Sequence, residues 1–319
     1  MREKLIVACR VARNLVFLLL CLLPPSAFAS PYIYLTNSAE GTVSVIDMAI
    51  HRVVDPPITV GDGPFGIALN QAGTRLYVTN LQSGTVSVID TARTSSTGIQ
   101  VKVGNEPSGI AIDGKGLRIY VANYGSDTVS VIDPVTNEVM GSPITVERNP
   151  YGMALNQTGT RLYVSNQGSN SVSVIDTTTH EVMESIPVGS LPQGILVAPG
   201  GNPVYVVNAG SNTVLAIDAA TNKITGQQIT VGVGPAAIAV NPEGTRLYVA
   251  NYGSDDVSVI DTVSNRVIGS PIAVGHNPYG IMVNGSGTLV YVANKGSRTV
   301  SVIDAGTSRV METIPYGRK

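Results

Sequence analysis

The sequence predicts an all-β fold, a seven-bladed β-propeller of four-stranded antiparallel blades, and three observations carry that prediction. First, the pattern Tyr-aliphatic-x-Asn recurs at Tyr34–Asn37, Tyr77–Asn80, Tyr120–Asn123, Tyr163–Asn166, Tyr205–Asn208, Tyr248–Asn251 and Tyr291–Asn294, in steps of 42 or 43 residues. Second, an aspartate follows each of these asparagines by ten positions: Asp47, Asp90, Asp133, Asp176, Asp218, Asp261 and Asp304. Third, every unit divides into short β-rich runs separated by turn residues. A period of this length with four strands per copy is the signature of a propeller blade.

The second unit illustrates the elements in order. Gly66–Leu69 reads as an inner strand, residues 70–73 as a turn, and Arg75–Thr79 as a second strand. Residues 81–84 turn again, with glycine free to take positive φ. Thr85–Ile89 forms a third strand closed by Asp90, and a fourth runs over roughly Gly98 to Val103. In Val86-Ser-Val-Ile89 both sides of the strand are apolar or small, as a sheet packed on both faces requires. The serine recurs at Ser44, Ser87, Ser130, Ser173, Ser258 and Ser301, in six of the seven copies, and is read as the point of close approach between blades. Prolines (Pro57, Pro143, Pro187, Pro271, Pro315) and charges mark the fourth strand as the outer edge.

The inner strand, Pro-x-Gly-Ile-Ala or a variant, begins at Pro64, Pro107, Pro150, Pro192, Pro235 and Pro278, six times where the other three strands appear seven. The first blade is therefore expected to have three strands, with the Tyr34 strand presenting an unpaired edge to the channel.

Residues 1–29 read as a secretory signal peptide: Arg2, Lys4, Arg10 and Arg13 make a basic start, Leu15–Leu23 is apolar, and Ala27-Phe-Ala29 is a cleavage site. A retained membrane anchor, or a lipid on Cys21, are the other readings of this segment. Residues 30–319 form a single domain. Cleavage would remove both cysteines, Cys9 and Cys21, and take the formal net charge from −2 to −5, since the leader holds four basic residues and one acidic. The mature domain is then free of thiols, mildly acidic and without a further membrane span. That charge balance disfavours nucleic acid as a partner. An exported protein, periplasmic, secreted or on the cell surface, is the expectation.

Tyr77-Val-Thr-Asn80 followed by Thr85-Val-Ser-Val-Ile-Asp90 resembles the YVTN-repeat β-propeller family, and the resemblance covers about residues 31–317. It implies an exported bacterial or archaeal propeller. Some related propellers are lactonases or carry redox centres, and no motif here assigns the chain to those branches.

Two loop sets of a propeller share one face: those between second and third strands, and those leading into the inner strand. This places Asp62, Phe65, Glu106, Arg148, Asn149, Tyr151, Gln193, His276, Asn277 and Tyr279 at one mouth of the channel, with Tyr124 and Tyr252 in the companion loops. Asn-Pro-Tyr-Gly occurs twice, at 149–152 and 277–280. The recurring Asn and Asp residues read as turn braces, because a catalytic group is needed once and a brace in every blade. Arg75, Arg118, Arg161 and Arg246 recur at one strand position and are expected to cover apolar surface with their stems. His51 and His180 fall on the opposite face. No nucleophile elbow, zinc-protease pair or phosphate loop is present, and no catalytic, metal or cofactor set is assigned. The sequence favours a non-enzymatic binding or scaffold protein with a protein or small-molecule ligand on the mouth face. The alternative is a lactonase-like hydrolase using a metal or carboxylate site built from Asp62, Glu106 and His276.

Overall fold

A computed structural model describes residues 18–21 and 32–316 of the chain. The basic start and the Ala27–Ala29 cleavage site, on which the export reading rests, lie outside the described residues, as do the last three residues of the C-terminal run. The described residues contain strands and turns and no helix. They form seven separate sheets, each a meander of antiparallel neighbours. In blade 2 the order from the axis outwards is Pro64–Leu69, Arg75–Asn80, Thr85–Asp90 and Ser95–Lys102. These bounds match the elements read from the sequence to within a few residues.

Each inner strand touches the next around the ring. Seven apolar clusters lie between the blades, and each draws on two neighbouring sheets. One packs Tyr34, Val43, Val45 and Ile58 of blade 1 against Ile67, Leu76, Val78 and Ile89 of blade 2. Another closes the ring by packing Ile33, Leu35 and Ile46 of blade 1 against Met282, Tyr291 and Val300 of blade 7. Burial on both sheet faces is why the strands lack a polar set.

The outer strands of blades 3 and 6 are broken in two, Glu138–Val139 with Ile144–Thr145 and Arg266–Val267 with Ile272–Ala273. Gly141 and Gly269 take positive φ there (64° and 69°), just ahead of Pro143 and Pro271, so the chain leaves the ladder and returns.

The repeat supplies three strands to blade 1, as the sequence predicts: Tyr32–Asn37, Thr42–Asp47 and Arg52–Thr59. Among the described residues, the edge expected to be bare is covered along part of its length. Leu18–Cys21 pairs antiparallel with Tyr32–Leu35 and touches the inner strands of blades 2 and 7. At the same seam Arg298 of blade 7 pairs with Glu40 of blade 1 at 2.8 Å, and His51 contacts Glu312 on the far face.

The recurring polar residues divide their work. The aspartates accept the backbone amides that follow them, as at Asp133 Oδ1, which takes the Val135 amide at 2.7 Å. The asparagines do something different. The Asn80 carboxamide donates to Thr85 at 3.0 Å and to Ser87 at 2.8 Å on the next strand, and the same pair of bonds is made by Asn37, Asn123 and Asn294. The recurring serine is thus an acceptor for the buried asparagine. The closest approach between blades is made elsewhere, at the glycine of the inner strand: a β-carbon on Gly109 would lie 2.3 Å from the Tyr151 carbonyl oxygen. The recurring arginines also bond across blades. Arg75 reaches the Pro134 carbonyl at 3.1 Å and Arg246 that of Ala305 at 2.9 Å, with Arg118 and Arg161 bonding Thr177 and Ala219 likewise. They clasp the neighbouring blade's turn as well as covering surface.

Candidate functional site at the channel mouth

The two loop sets predicted to share a face are joined by backbone hydrogen bonds. The residue before each inner-strand proline is Gly63, Glu106, Asn149, Leu191, Gly234 or Asn277, and all have φ between 49° and 65°. Its carbonyl accepts the amide of the first residue after the repeat asparagine: Leu81, Tyr124, Gln167, Ala209, Tyr252 or Lys295, at 2.8 to 3.0 Å. That bond seats Tyr124 and Tyr252 beside the inner strands. Asn149 and Asn277 suit the left-handed conformation, and their side chains tighten the loops by donating to the Tyr124 and Tyr252 carbonyls at 3.1 and 3.2 Å.

Phe65, Tyr151 and Tyr279 follow three of these prolines, and here five aromatic rings converge. Phe65 meets Tyr151 edge-on, with centroids 5.5 Å apart and planes at 82°, and meets Tyr279 at 6.2 Å and 71°. Tyr124 packs against Tyr151 at 6.3 Å, and Tyr252 against Tyr279 at 5.8 Å. The Tyr151 and Tyr279 hydroxyls contact one another. Lys295 places its ammonium 5.3 Å from the Tyr279 ring centroid, within cation–π range. Edge-to-face contacts of this kind contribute beyond area burial. Burial drives the Tyr279 phenol well above its ordinary pKa. The Gln193 amide oxygen is buried with no hydrogen-bond partner among the described residues.

The charged residues predicted for this face lie further out. Arg148, Asp62 and His276 sit in the loops, their backbone amides bonded to Ser169, Ser83 and Ser297. The Glu106 side chain packs beside Gly125 of the adjacent loop. His276 is exposed, and its Nδ1 lies 2.7 Å from Asp255 Oδ2. Asp255 also accepts the Asn277 amide at 2.7 Å, and these bonds hold its carboxyl below the usual range, His276 contributing most. Asp255 was not singled out from the sequence. It stands at a position where Asp127, Asn170 and Asn212 make the same amide bond, so its second bond, to His276, has no sequence signature. Asp62, Glu106 and His276 do not come together: among the described residues no three His, Cys, Asp or Glu side chains are grouped as a metal ion requires.

A cavity of about 170 Å³ opens beside the aromatic cluster, between blades 7, 1 and 2. Its lining includes Thr36, Asn37, Ser38, Phe65, Tyr279 and Lys295.

A family model described as lactonase, seven-bladed β-propeller, matches residues 61–182 and 223–313, and one described as a YNCE-like β-propeller matches residues 151–246. Comparison with curated proteins gives no match. Among solved structures, hydrazine synthase of Kuenenia stuttgartiensis is similar at a TM-score of 0.78 and 23% identity, over 86% of this chain and 92% of that one. A functionally unknown protein from Desulfotomaculum acetoxidans superposes at a TM-score of 0.77 and 15% identity, over 89% and 95% of the two chains. A catalytically inactive virginiamycin B lyase from Staphylococcus aureus, solved with quinupristin, does so at 0.71 and 13%, over 88% and 92%. At these identities the likeness concerns the fold.

Proposed function

The chain belongs to the lactonase-type seven-bladed β-propeller family, and on that premise we propose that it is an exported, non-enzymatic binding propeller whose channel-mouth face takes a ligand with a flat apolar or aromatic group. The convergence of Phe65, Tyr124, Tyr151, Tyr252 and Tyr279 carries this reading. Rigid aromatic rings with polar tips give contact area at low entropic cost, and a ligand-binding mouth is commonly lined this way. These residues are not part of the recurring framework, so packing and turning do not account for their types. Fold alone does not fix a function; the site does. The Tyr-Val-Thr-Asn repeats support placing the chain in the YVTN-repeat branch of these propellers, and the leader-like first 29 residues support export.

The test is a thermal-shift screen of the exported protein against flat aromatic and apolar compounds, repeated on a Tyr151→Ala/Tyr279→Ala variant. A saturable shift lost in the variant is the expected result. A shift that survives the double substitution, or no shift across the series, counts against the reading.

A second reading rests on one observation, the His276–Asp255 contact. A carboxylate on Nδ1 orients an imidazole and leaves Nε2 facing outwards as a general base, which suits hydrolysis of a lactone at the rim. Lactone turnover abolished by His276→Ala and reduced by Asp255→Asn would put this reading ahead of the first.

A further inference from the structure

The inner edge of blade 1 differs from its six counterparts. In each of those, a proline stands opposite the repeat asparagine, as Pro64 opposite Asn80 and Pro150 opposite Asn166. In blades 2 and 4, two residues later, a glycine amide donates to a hydroxyl on the second strand: Gly66 to Thr79 at 2.7 Å, Gly152 to Ser165 at 2.9 Å. The same hydroxyl donates onward to the carbonyl of the next blade's inner strand, Thr79 to Ser108 and Ser165 to Gln193, both at 2.7 Å. The hydroxyl is thus a two-way relay between an incoming strand and its neighbour.

Blade 1 holds half of that relay ready. Thr36 occupies the hydroxyl position and donates to the Phe65 carbonyl at 3.0 Å, which leaves its acceptor side for a strand amide. Among the described residues, Leu18–Cys21 pairs with Tyr32–Leu35. Beside Thr36, Asn37 and Ser38, where the other blades seat Pro-x-Gly, lies the 170 Å³ cavity. Asn37 is 8% exposed, whereas the other six asparagines are fully buried.

We infer that the inner edge of blade 1 is a recognition site for an extended segment of a partner protein, of the pattern Pro-x-Gly-aliphatic-small-aliphatic, lying antiparallel to Tyr32–Asn37. The inner strands of blades 2, 3 and 4, Pro64–Leu69, Pro107–Ile112 and Pro150–Leu155, define the pattern. Proline is tolerated at the first position because its carbonyl, not its nitrogen, meets the neighbouring loop: Ser38 already donates to the Pro64 carbonyl at 2.7 Å. The third residue is glycine in five of the six inner strands and Ala237 in blade 6; at Gly66, Gly109 or Gly152 a β-carbon would come within 2.3 to 2.4 Å of a neighbouring carbonyl, so a bulky residue is excluded. Strand addition then supplies backbone hydrogen bonds, and the alternating pockets supply selectivity. The six segments of this kind that the chain itself holds are all seated in their own blades, so the occupant comes in trans. The inference rests on the export reading, in which residues 18–21 leave with the leader and open the whole edge; it is independent of what binds the aromatic mouth.

The experiment uses the protein recovered after export, its start fixed by intact mass, and a labelled, capped hexapeptide of the sequence found at residues 64–69, Pro-Phe-Gly-Ile-Ala-Leu. Fluorescence anisotropy should give saturable binding. A peptide with valine in place of its glycine should bind at least tenfold more weakly. Thr36→Val, which removes the acceptor at nearly constant volume, should weaken binding about fivefold, as the loss of one net hydrogen bond implies. Equal affinity for the glycine and valine peptides overturns the proposal whether or not the Thr36 variant folds. So does a lack of saturable binding. An intact mass that retains residues 18–21 in the exported protein overturns it too, since the chain then fills its own edge. A concentration-dependent dimer that the peptide fails to disperse would assign the edge to a second copy and overturn it likewise.

Discussion

Tyr151 and Tyr279 belong to inner strands three repeats apart, and their hydroxyls meet over the channel mouth. Phe65 braces both rings edge-on, and each has a further tyrosine behind it, Tyr124 or Tyr252. The duplicated Asn-Pro-Tyr-Gly segment is what brings them there: the asparagine takes positive φ and ties the companion tyrosine's carbonyl, and the next tyrosine turns inwards.

Buried phenols make the protein sensitive to alkali. Burial raises the Tyr291 and Tyr316 phenols to about 12 and pushes Tyr279 higher. A group protonated in the folded state and ionised in the unfolded one stabilises fully below its unfolded pKa, near 10, and ceases to do so as pH rises through the folded value. The urea midpoint should therefore be flat from pH 8 to about 9.5 and fall between pH 10 and 12. Difference absorbance at the phenolate band should show these tyrosines ionising after the exposed ones.

The asparagine–serine brace should be measurable. Ser87→Ala leaves the buried Asn80 carboxamide one acceptor short, at a cost of about 1 kcal/mol. Blade 5 already lacks this bond. Leu215 stands where the serine should be, and Asn208 reaches Thr213 at 3.4 Å. Leu215→Ser supplies the acceptor but removes a buried leucine side chain, so it should still cost about 2 kcal/mol net. Calorimetry on both variants checks the pair.

Two glycines should respond very differently to alanine. Gly109→Ala drives a β-carbon against the Tyr151 carbonyl, and such overpacking between two backbones should cost about 3 kcal/mol. Gly116→Ala meets no atom within 4 Å, but its φ of 69° should cost about 1 kcal/mol. Equal unfolding midpoints for the two would contradict the packing described between blades 3 and 4.

The arginine clasps should contribute singly and add. Arg75 and Arg246 bond turns in blades far apart in the ring. Each alanine substitution should cost about 1 kcal/mol, and the double variant should match the sum, as read from denaturant unfolding.

The fold was legible because its rules repeat. The Tyr-x-x-Asn register, the two-sided apolar strands and the prolines at outer edges state the same packing seven times, so chance variation in one blade is outvoted by six others. What the repeat could not reveal is which partner each side chain finds. Ser87 read as a spacer because a small residue in a strand gives no sign of an asparagine seven positions earlier. Arg246 read as a surface cover because its acceptor, the Ala305 carbonyl, lies a blade and a half away in the chain. At the mouth, the aromatic positions were visible as departures from the repeat, and the structure gathers Phe65, Tyr124, Tyr151, Tyr252 and Tyr279 into one cluster. The charged residues, read from the same loops, were placed without directions, and Asp62, Glu106 and His276 are not brought into one set. The His276–Asp255 contact was hidden because Asp255 does the work of a brace found in several blades.

The most direct measurement is a titration of the exported protein with a flat aromatic fluorophore such as anilinonaphthalene sulfonate, in the parent and in a Tyr151→Ala/Tyr279→Ala variant, with melting curves taken on the same samples. The parent should bind saturably, the variant should lose that binding, and both should melt cooperatively, because the recurring framework holds the fold and the single-copy aromatics hold the ligand. Undiminished saturable binding by a well-folded variant would contradict that division.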